Sequence, residues 1–185
     1  REEPGTFPEY RSVNTQVLGL IVQKITGQKL ADAFSERVWQ KVGADFNATW
    51  NVDKVGGHEK AFCCFNGVAR DYARFGQLIL NKGAWGGKQI VDSNYIFKAT
   101  SPASYLKDRT ESDNPVDFYG YQYWIIQHKG MSIPFQNGLF GQYVFAIKEK
   151  NAVVHTGQAA AGAGAEARAH VHGADQLEDF DRLRE

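Results

Sequence analysis

Near Tyr119 the spacing of apolar residues changes from helical to alternating, and that single switch restricts the chain to few architectures. Upstream, Val13, Val17, Leu20, Ile21 and Ile25 recur at helical spacing, with Gly27 as a natural stop. A second helical pattern runs from Leu30 to Val42, carries Phe34, Val38 and Trp39 on one face, and ends at Gly43. Residues 44–66, with their Asp, Asn and paired glycines, read as irregular. Val68, Tyr72, Phe75, Leu78 and Ile79 mark a third helix closed by Gly83, and Asp92 is placed to cap a short helix ahead of Pro102. Downstream, aromatic and β-branched runs at 121–127, 131–136, 142–148 and 151–156 read as strands. Turn residues at His128-Lys129-Gly130 and Glu149-Lys150-Asn151 separate them. Helices followed by strands imply an α+β fold with an antiparallel sheet.

This division gives a helical region over 1–118 and antiparallel strands over 119–157. Residues 158–174 are dominated by Ala and Gly without apolar periodicity and read as a linker. Leu177, Phe180 and Leu183 then give 175–185 the pattern of a short C-terminal helix.

Charge excludes some partners. Lys and Arg total 21 and Asp and Glu total 21, so nothing in the balance favours nucleic acid or an anionic membrane surface. No apolar run approaches the roughly 20 residues that span a bilayer. Cys63 and Cys64 are adjacent, which disfavours an ordinary disulfide, and they lack metal-ligand companions, so they read as core thiols that do not decide the compartment. His170-Val171-His172 likewise lacks a well-spaced third ligand and reads as a solvated tail.

The residue with the clearest chemical potential is Tyr10, in a short segment that leads straight into the first helix. A free phenol has a pKa near 10, so a catalytic tyrosine needs neighbouring positive charge to reach its phenolate at neutral pH. That requirement predicts a lysine and a nucleophile nearby in space. The alternative is an aromatic that simply packs on the following helix.

The run Phe7-Pro8-Glu9-Tyr10-Arg11-Ser12-Val13-Asn14-Thr15-Gln16-Val17-Leu18-Gly19 resembles the second motif of the serine β-lactamase-related family. That family includes class C β-lactamases, penicillin-binding DD-peptidases, carboxylesterases and aminohexanoate-dimer hydrolases. Its motif is usually Tyr-x-Asn, nine residues ahead of a helical glycine; Tyr10 keeps the spacing to Gly19, while Ser12 stands where Asn is usual. Ala69-Arg70-Asp71-Tyr72-Ala73-Arg74-Phe75-Gly76-Gln77-Leu78 and Gly138-Leu139-Phe140-Gly141-Gln142-Tyr143-Val144 are similar to stretches of the esterase and aminohexanoate-hydrolase branch. Three such stretches in order are fairly specific.

The resemblance implies a partial β-lactamase/transpeptidase-like fold and a set of roles. Tyr10 would shuttle a proton, the Leu139 N–H would donate to the oxyanion, and Ser12, Asn137 and Gly138 would contact substrate. Ser12 could equally cap the helix, and Gly138 could be a plain bend. The family's Ser-x-x-Lys, which supplies nucleophile and base upstream of the tyrosine motif, has no counterpart in the nine residues before Tyr10. The resemblance therefore implies the C-terminal part of a longer hydrolase, acting on a small amide or ester, with the N-terminal part of the same protein as partner and no metal or organic cofactor. A non-catalytic relative that binds peptide or peptidoglycan-like ligands, or an inactive fragment, are the competing readings.

Two further motifs rank lower. Ser104-Tyr105-Leu106-Lys107 has the Ser-x-x-Lys spacing but follows the tyrosine motif and reads as a solvated loop. His155-Thr156-Gly157 resembles the family's third motif, yet it lies one strand beyond the place near Gln136-Asn137-Gly138 where that motif belongs. Arg70, Asp71 and Arg74 read as surface or interdomain ion pairs, and Trp50, Trp85 and Trp124 as either core or cleft residues.

Overall fold

The computed structural model describes residues 3–110, 114–157 and, as backbone, 168–172. Among the described residues, four α-helices, α1 (Ser12–Thr26), α2 (Leu30–Phe34), α3 (Ala69–Leu80) and α4 (Ser93–Ala99), precede a five-stranded antiparallel sheet. Three two-residue ladders lie among the helices: β1 (Thr49–Trp50) with β2 (Phe65–Asn66), β3 (Ala84–Trp85) with β4 (Lys88–Gln89), and β5 (Lys107–Asp108) with β6 (Asn114–Pro115). The sheet runs β7 (Trp124–His128), β8 (Met131–Gly138), β9 (Gln142–Ile147), β10 (Ala152–Gly157) and β11 (Arg168–His172), each paired with its sequence neighbour. Helices first and an antiparallel sheet afterwards is the α+β layout that the change of period implies.

The helix ends follow local chemistry. Gly27 terminates α1 in the left-handed region (φ 68°) and returns its N–H to the Gln23 carbonyl. Asp92 caps α4, its carboxylate accepting from the Tyr95 N–H at 2.8 Å. The pattern read as one helix over 30–42 instead widens after Phe34: the Gln40 N–H reaches the Ser35 carbonyl five residues back, at 3.0 Å. This turn carries Trp39 into a cluster with Phe34 and Phe65, and its indole N–H donates to the Phe46 carbonyl at 3.2 Å.

α3 is the structural centre. It lies across β9 and β10, where a Cβ on Gly76 would stand 2.6 Å from a Val153 methyl and 3.0 Å from one on Val144. Glycine thus lets helix and sheet approach closely. Alternation along the strands sorts the sheet's side chains: Val144, Ala146 and Val153 pack with Ala73, Ile79 and Ile96, while Ile133, Phe135, Phe145, Ile147 and Val154 form a separate buried cluster.

Three readings change. Asp71 is fully buried rather than at the surface: its carboxylate accepts from the Asp45 and Phe46 N–H groups at 3.0 and 3.1 Å and pairs with Arg74 at 2.7 Å. The turn at 45–46 has backbone donors with no strand or helix to use them, and a carboxylate on α3 satisfies both. Cys63 and Cys64 are bonded to each other and half-buried, with Cys64 in the left-handed region at φ 69°, so they are not free core thiols. Residues 168–172, placed in the linker by composition, run as a strand beside β10, whose outer edge otherwise offers unpaired backbone groups. The rest of 158–174 and the helix expected over 175–185 lie outside the described residues. Periodicity left the facing of α1 open: its apolar stripe faces away from the core, and the helix buries Gly19 and half-buries Thr15, Gln16, Gln23 and Thr26.

Candidate functional site

A cleft of about 530 Å³ opens between the segment leading into α1, the turn around Tyr105 and the start of the sheet. Tyr10 lines it and is 61% exposed. Its ring is held by two others: Trp124 at 5.4 Å between centroids and Tyr119 at 6.2 Å edge-on, with Tyr119 and Trp124 themselves 5.0 Å apart. Such edge and tilted contacts suit aromatic quadrupoles and restrict the ring's motion.

Each member of this trio is placed by a separate element. Tyr10 stands two residues before α1, whose preceding residue Arg11 is extended. No side chain caps the helix there, so Ser12 is its first residue and does not serve as a cap. Trp124 opens β7, opposite Phe135 on β8. Tyr119 sits on the approach to that strand, where Gly120 presses so close to the end of α4 that a Cβ would meet the Ala99 carbonyl at 2.3 Å. The Thr15 hydroxyl donates to the Gln122 amide oxygen at 2.7 Å and ties α1 to the same segment.

The rim is polar. Arg11 pairs with Glu9, and the Arg109 guanidinium lies 4.5 Å above the centroid of Phe7. Asp108 is engaged by the Thr110 N–H and hydroxyl at 2.9 and 2.8 Å. The positive charge that a catalytic phenol requires is represented in the lining, among the described residues, by Arg11 and Arg109 and by no lysine. Burial, and secondly the nearby Tyr10 phenol, push the Tyr119 hydroxyl up to about 12, so Tyr119 is a neutral hydrogen-bonding group at physiological pH.

The other sequence candidates divide by position. Asn137 and Gly138 pair with Tyr143 and Gln142 of β9, but β8 pairs with β7 only as far as Phe135. Residues 136–138 therefore extend past the start of β7. Leu139 follows at the hairpin tip and is 77% exposed. Four residues beyond Phe135 at about 3.3 Å each, it stands roughly 13 Å along the strand direction from the partner of Trp124. Ser12, Asn137, Gly138 and Leu139 are not among the residues that line the Tyr10 cleft.

His155 faces α3, where its ring stacks on Tyr72 at 5.5 Å and is buried. The Thr156 hydroxyl donates to the Gly141 carbonyl at 2.6 Å and accepts from the Tyr143 N–H, bracing the β8–β9 hairpin. Ser104 lies on an exposed turn and Lys107 in the ladder β5, so the two do not share a helix face. Of the tryptophans, Trp124 belongs to the cleft, whereas Trp50 joins the Phe34 and Phe65 cluster and donates to the Lys60 and Cys63 carbonyls at 3.0 and 2.9 Å.

Sequence reasoning missed Asn14, Thr15, Tyr119 and Arg109 as cleft residues. Asn14 was within reach of it, because it follows Tyr10 by one helical turn; Tyr119 and Arg109 come from distant loops and carry no local signal. Among the described residues no group of three or more His, Cys, Asp or Glu side chains is arranged to hold a metal, and no helix is long and apolar enough to cross a membrane.

With this geometry in view, a family model described as Beta-lactamase matches residues 1–156. A 6-aminohexanoate-dimer hydrolase of Paenarthrobacter ureafaciens is 38% identical over 96 residues, which is 50% of this chain and 23% of that protein. Among solved structures, a Bacillus anthracis protein provisionally assigned as a 6-aminohexanoate-dimer hydrolase superposes with a TM-score of 0.69 at 31% identity, over 80% of this chain and 37% of its own. A Bacteroides dorei structure provisionally assigned as a β-lactamase shares the fold at TM-score 0.64 and 18% identity, over 96% of this chain and 54% of its own. The chain thus spans about a quarter of the curated relative and under two fifths of the more similar solved one.

Proposed function

Because the chain belongs to the Beta-lactamase family, we propose that it is the C-terminal part of a serine hydrolase that cleaves an amide or ester through an acyl-enzyme. The observation that carries this reading is Tyr10: an exposed phenol fixed by Tyr119 and Trp124 at the mouth of an aromatic cleft, directly ahead of α1.

In this reading the N-terminal part of the protein supplies the serine and a lysine. The serine oxygen attacks the substrate carbonyl, and its proton passes to the Tyr10–lysine pair. The lysine's positive charge holds the Tyr10 phenolate within reach of neutral pH. As the tetrahedral intermediate collapses, Tyr10 returns the proton to the departing amine or alcohol, leaving the acyl group on the serine. Water then attacks the acyl-enzyme ester, losing its proton to the same pair; as the bond to the serine oxygen breaks, the pair returns that proton to the serine and the acid leaves. The Leu139 N–H donates to the oxyanion, and Asn137, Gly138 and Ser12 contact the substrate backbone. The chemistry needs no metal or organic cofactor. A linear amide is the substrate class that the aminohexanoate-hydrolase relatives favour, and the aromatic wall suits its apolar segment.

One feature supports a second reading. Ser12 stands where the family's motif has Asn, which fits a relative that binds peptide-like ligands without turnover.

Tyr10→Phe in the full-length protein separates the two. It removes only the hydroxyl, so stability should hold while kcat falls by about 10² to 10⁴-fold with little change in KM. Testing p-nitrophenyl esters, a chromogenic cephalosporin and a linear amide dimer identifies the best substrate. Near-parental kcat on that substrate would reduce Tyr10 to a packing residue, and no turnover of any of the three by the parental protein would favour the binder.

A further inference from the structure

The loop that carries Cys63 and Cys64 also seats α1. A bridge between neighbours in the chain encloses almost no residues, so it removes little freedom from the unfolded state and adds little to stability on that account. Its effect is local. It fixes two successive carbonyls, and both are used. The Cys63 carbonyl accepts from the Trp50 indole N–H at 2.9 Å, and the Cys64 carbonyl accepts from the Asn51 N–H and the Asn66 side-chain amide, each at 3.0 Å. Cys64 meanwhile sits in the left-handed region at φ 69°, which a residue with a Cβ seldom occupies unless its surroundings hold it there. The Cys63 N–H returns to the Lys60 carbonyl at 3.0 Å, joining the pair to the residues on either side of Lys60. Those residues grip the helix. Gln16 donates to the Glu59 carbonyl at 3.0 Å and accepts from the Ala61 N–H at 2.9 Å, and Gln23 donates to the Glu59 carboxylate at 2.7 Å. Gly19 lies so close to Ala61 that a Cβ would stand 2.6 Å from the alanine methyl.

We propose that Cys63–Cys64 is a thiol–disulfide exchange site whose co-reactant is a dithiol, and that its reduction loosens the seat of α1. Both cysteines are half-buried rather than enclosed, so the pair is within reach of a reductant in solution. A thiolate of the dithiol attacks one sulfur, the Sγ–Sγ bond breaks and a mixed disulfide forms. The second thiol then attacks that bond, closes the co-reactant's own disulfide and releases Cys63 and Cys64 as thiols. Two electrons and two protons pass from the dithiol to the pair. Without the bridge, Cys64 is free to leave the left-handed region and swing its carbonyl away from Asn51 and Asn66. That slack passes through Lys60 to Glu59 and Ala61, and so to the inner face of α1, whose first turn follows Tyr10. The redox state of the surroundings thereby sets how firmly the helix behind the cleft is held.

Peptide mapping and amide hydrogen exchange of the full-length protein test this. The peptide spanning 61–66, prepared without added thiol, should gain the mass of two hydrogens on treatment with dithiothreitol and lose it again with diamide. Reduction should speed exchange several-fold across 59–66 and along α1 while leaving α3 unchanged. The double variant Cys63→Ala with Cys64→Ala should show the faster exchange from the outset and no response to dithiothreitol. Two thiols in that peptide that diamide fails to join would overturn the proposal, as would a bridged pair whose reduction leaves α1 exchange unchanged. Faster exchange everywhere, α3 included, would make the bridge a general staple and overturn it equally. None of these readouts involves turnover, so the proposal stands or falls apart from the catalytic reading that Tyr10→Phe tests.

Discussion

Tyr119 and Asp71 show how a single side chain's surroundings convert into something measurable. Burial and the neighbouring Tyr10 raise the Tyr119 pKa from its ordinary value to about 12. A phenol whose folded pKa exceeds its unfolded value favours the fold while it stays protonated. Its contribution is therefore complete below about pH 10, the pKa of the unfolded chain, and is lost as pH rises through about 12. Absorbance titration near 295 nm should show several tyrosines ionising late, since burial also raises Tyr72 and Tyr123, and Tyr119→Phe should remove the part of that component centred near pH 12. Tyr10→Phe should shift it toward lower pH, since the second phenolate would be gone; an unchanged curve would mean that the two rings do not interact electrostatically. Asp71 is a buried acceptor for two backbone N–H groups and an arginine. Asp71→Ala leaves those donors unsatisfied and should cost about 3 kcal/mol in urea unfolding. A loss under about 1 kcal/mol would show that water replaces the carboxylate.

The helices differ in what their sequence patterns mean. α3 packs where its pattern says it should, and its Gly76 is a packing requirement rather than a flexibility device. Alanine there gains about 1 kcal/mol of helix propensity, but its methyl would collide with β-branched Val153 and Val144. We expect Gly76→Ala to destabilise on balance by about 1–2 kcal/mol. Ile25→Ala in the 185-residue chain, at an exposed site on α1, should stay within about 0.5 kcal/mol. A neutral Gly76→Ala would show that α3 slides on the sheet. The period of α1 was legible and its facing was not, because periodicity identifies a stripe without saying what lies against it. The strand 168–172 was hidden for a related reason: pairing with an available edge overrides an Ala/Gly-rich composition that encodes little strand preference.

For the molecule as a whole, the C-terminal reading predicts that the 185-residue chain alone turns over neither esters nor amides, because losing nucleophile and base together removes a group that acts as a unit. Ser104→Ala should then change nothing; a serine-dependent burst from this chain, abolished by Ser104→Ala, would place the nucleophile on the exposed turn instead. What the sequence determined by itself was local: the helix periods, the alternating strands, the caps at Gly27 and Asp92, and Tyr10 as the residue to watch. Those follow from interactions among neighbours in the chain, which spacing records. Only the tertiary structure decided that Asp71 is buried, that Cys63 and Cys64 are bonded, that Tyr119 and Trp124 close around Tyr10, and that α1 turns its apolar row outward. Each depends on segments far apart in sequence meeting in space. Tyr119 reaches Tyr10 across more than a hundred residues, and no pattern near either tyrosine encodes that approach.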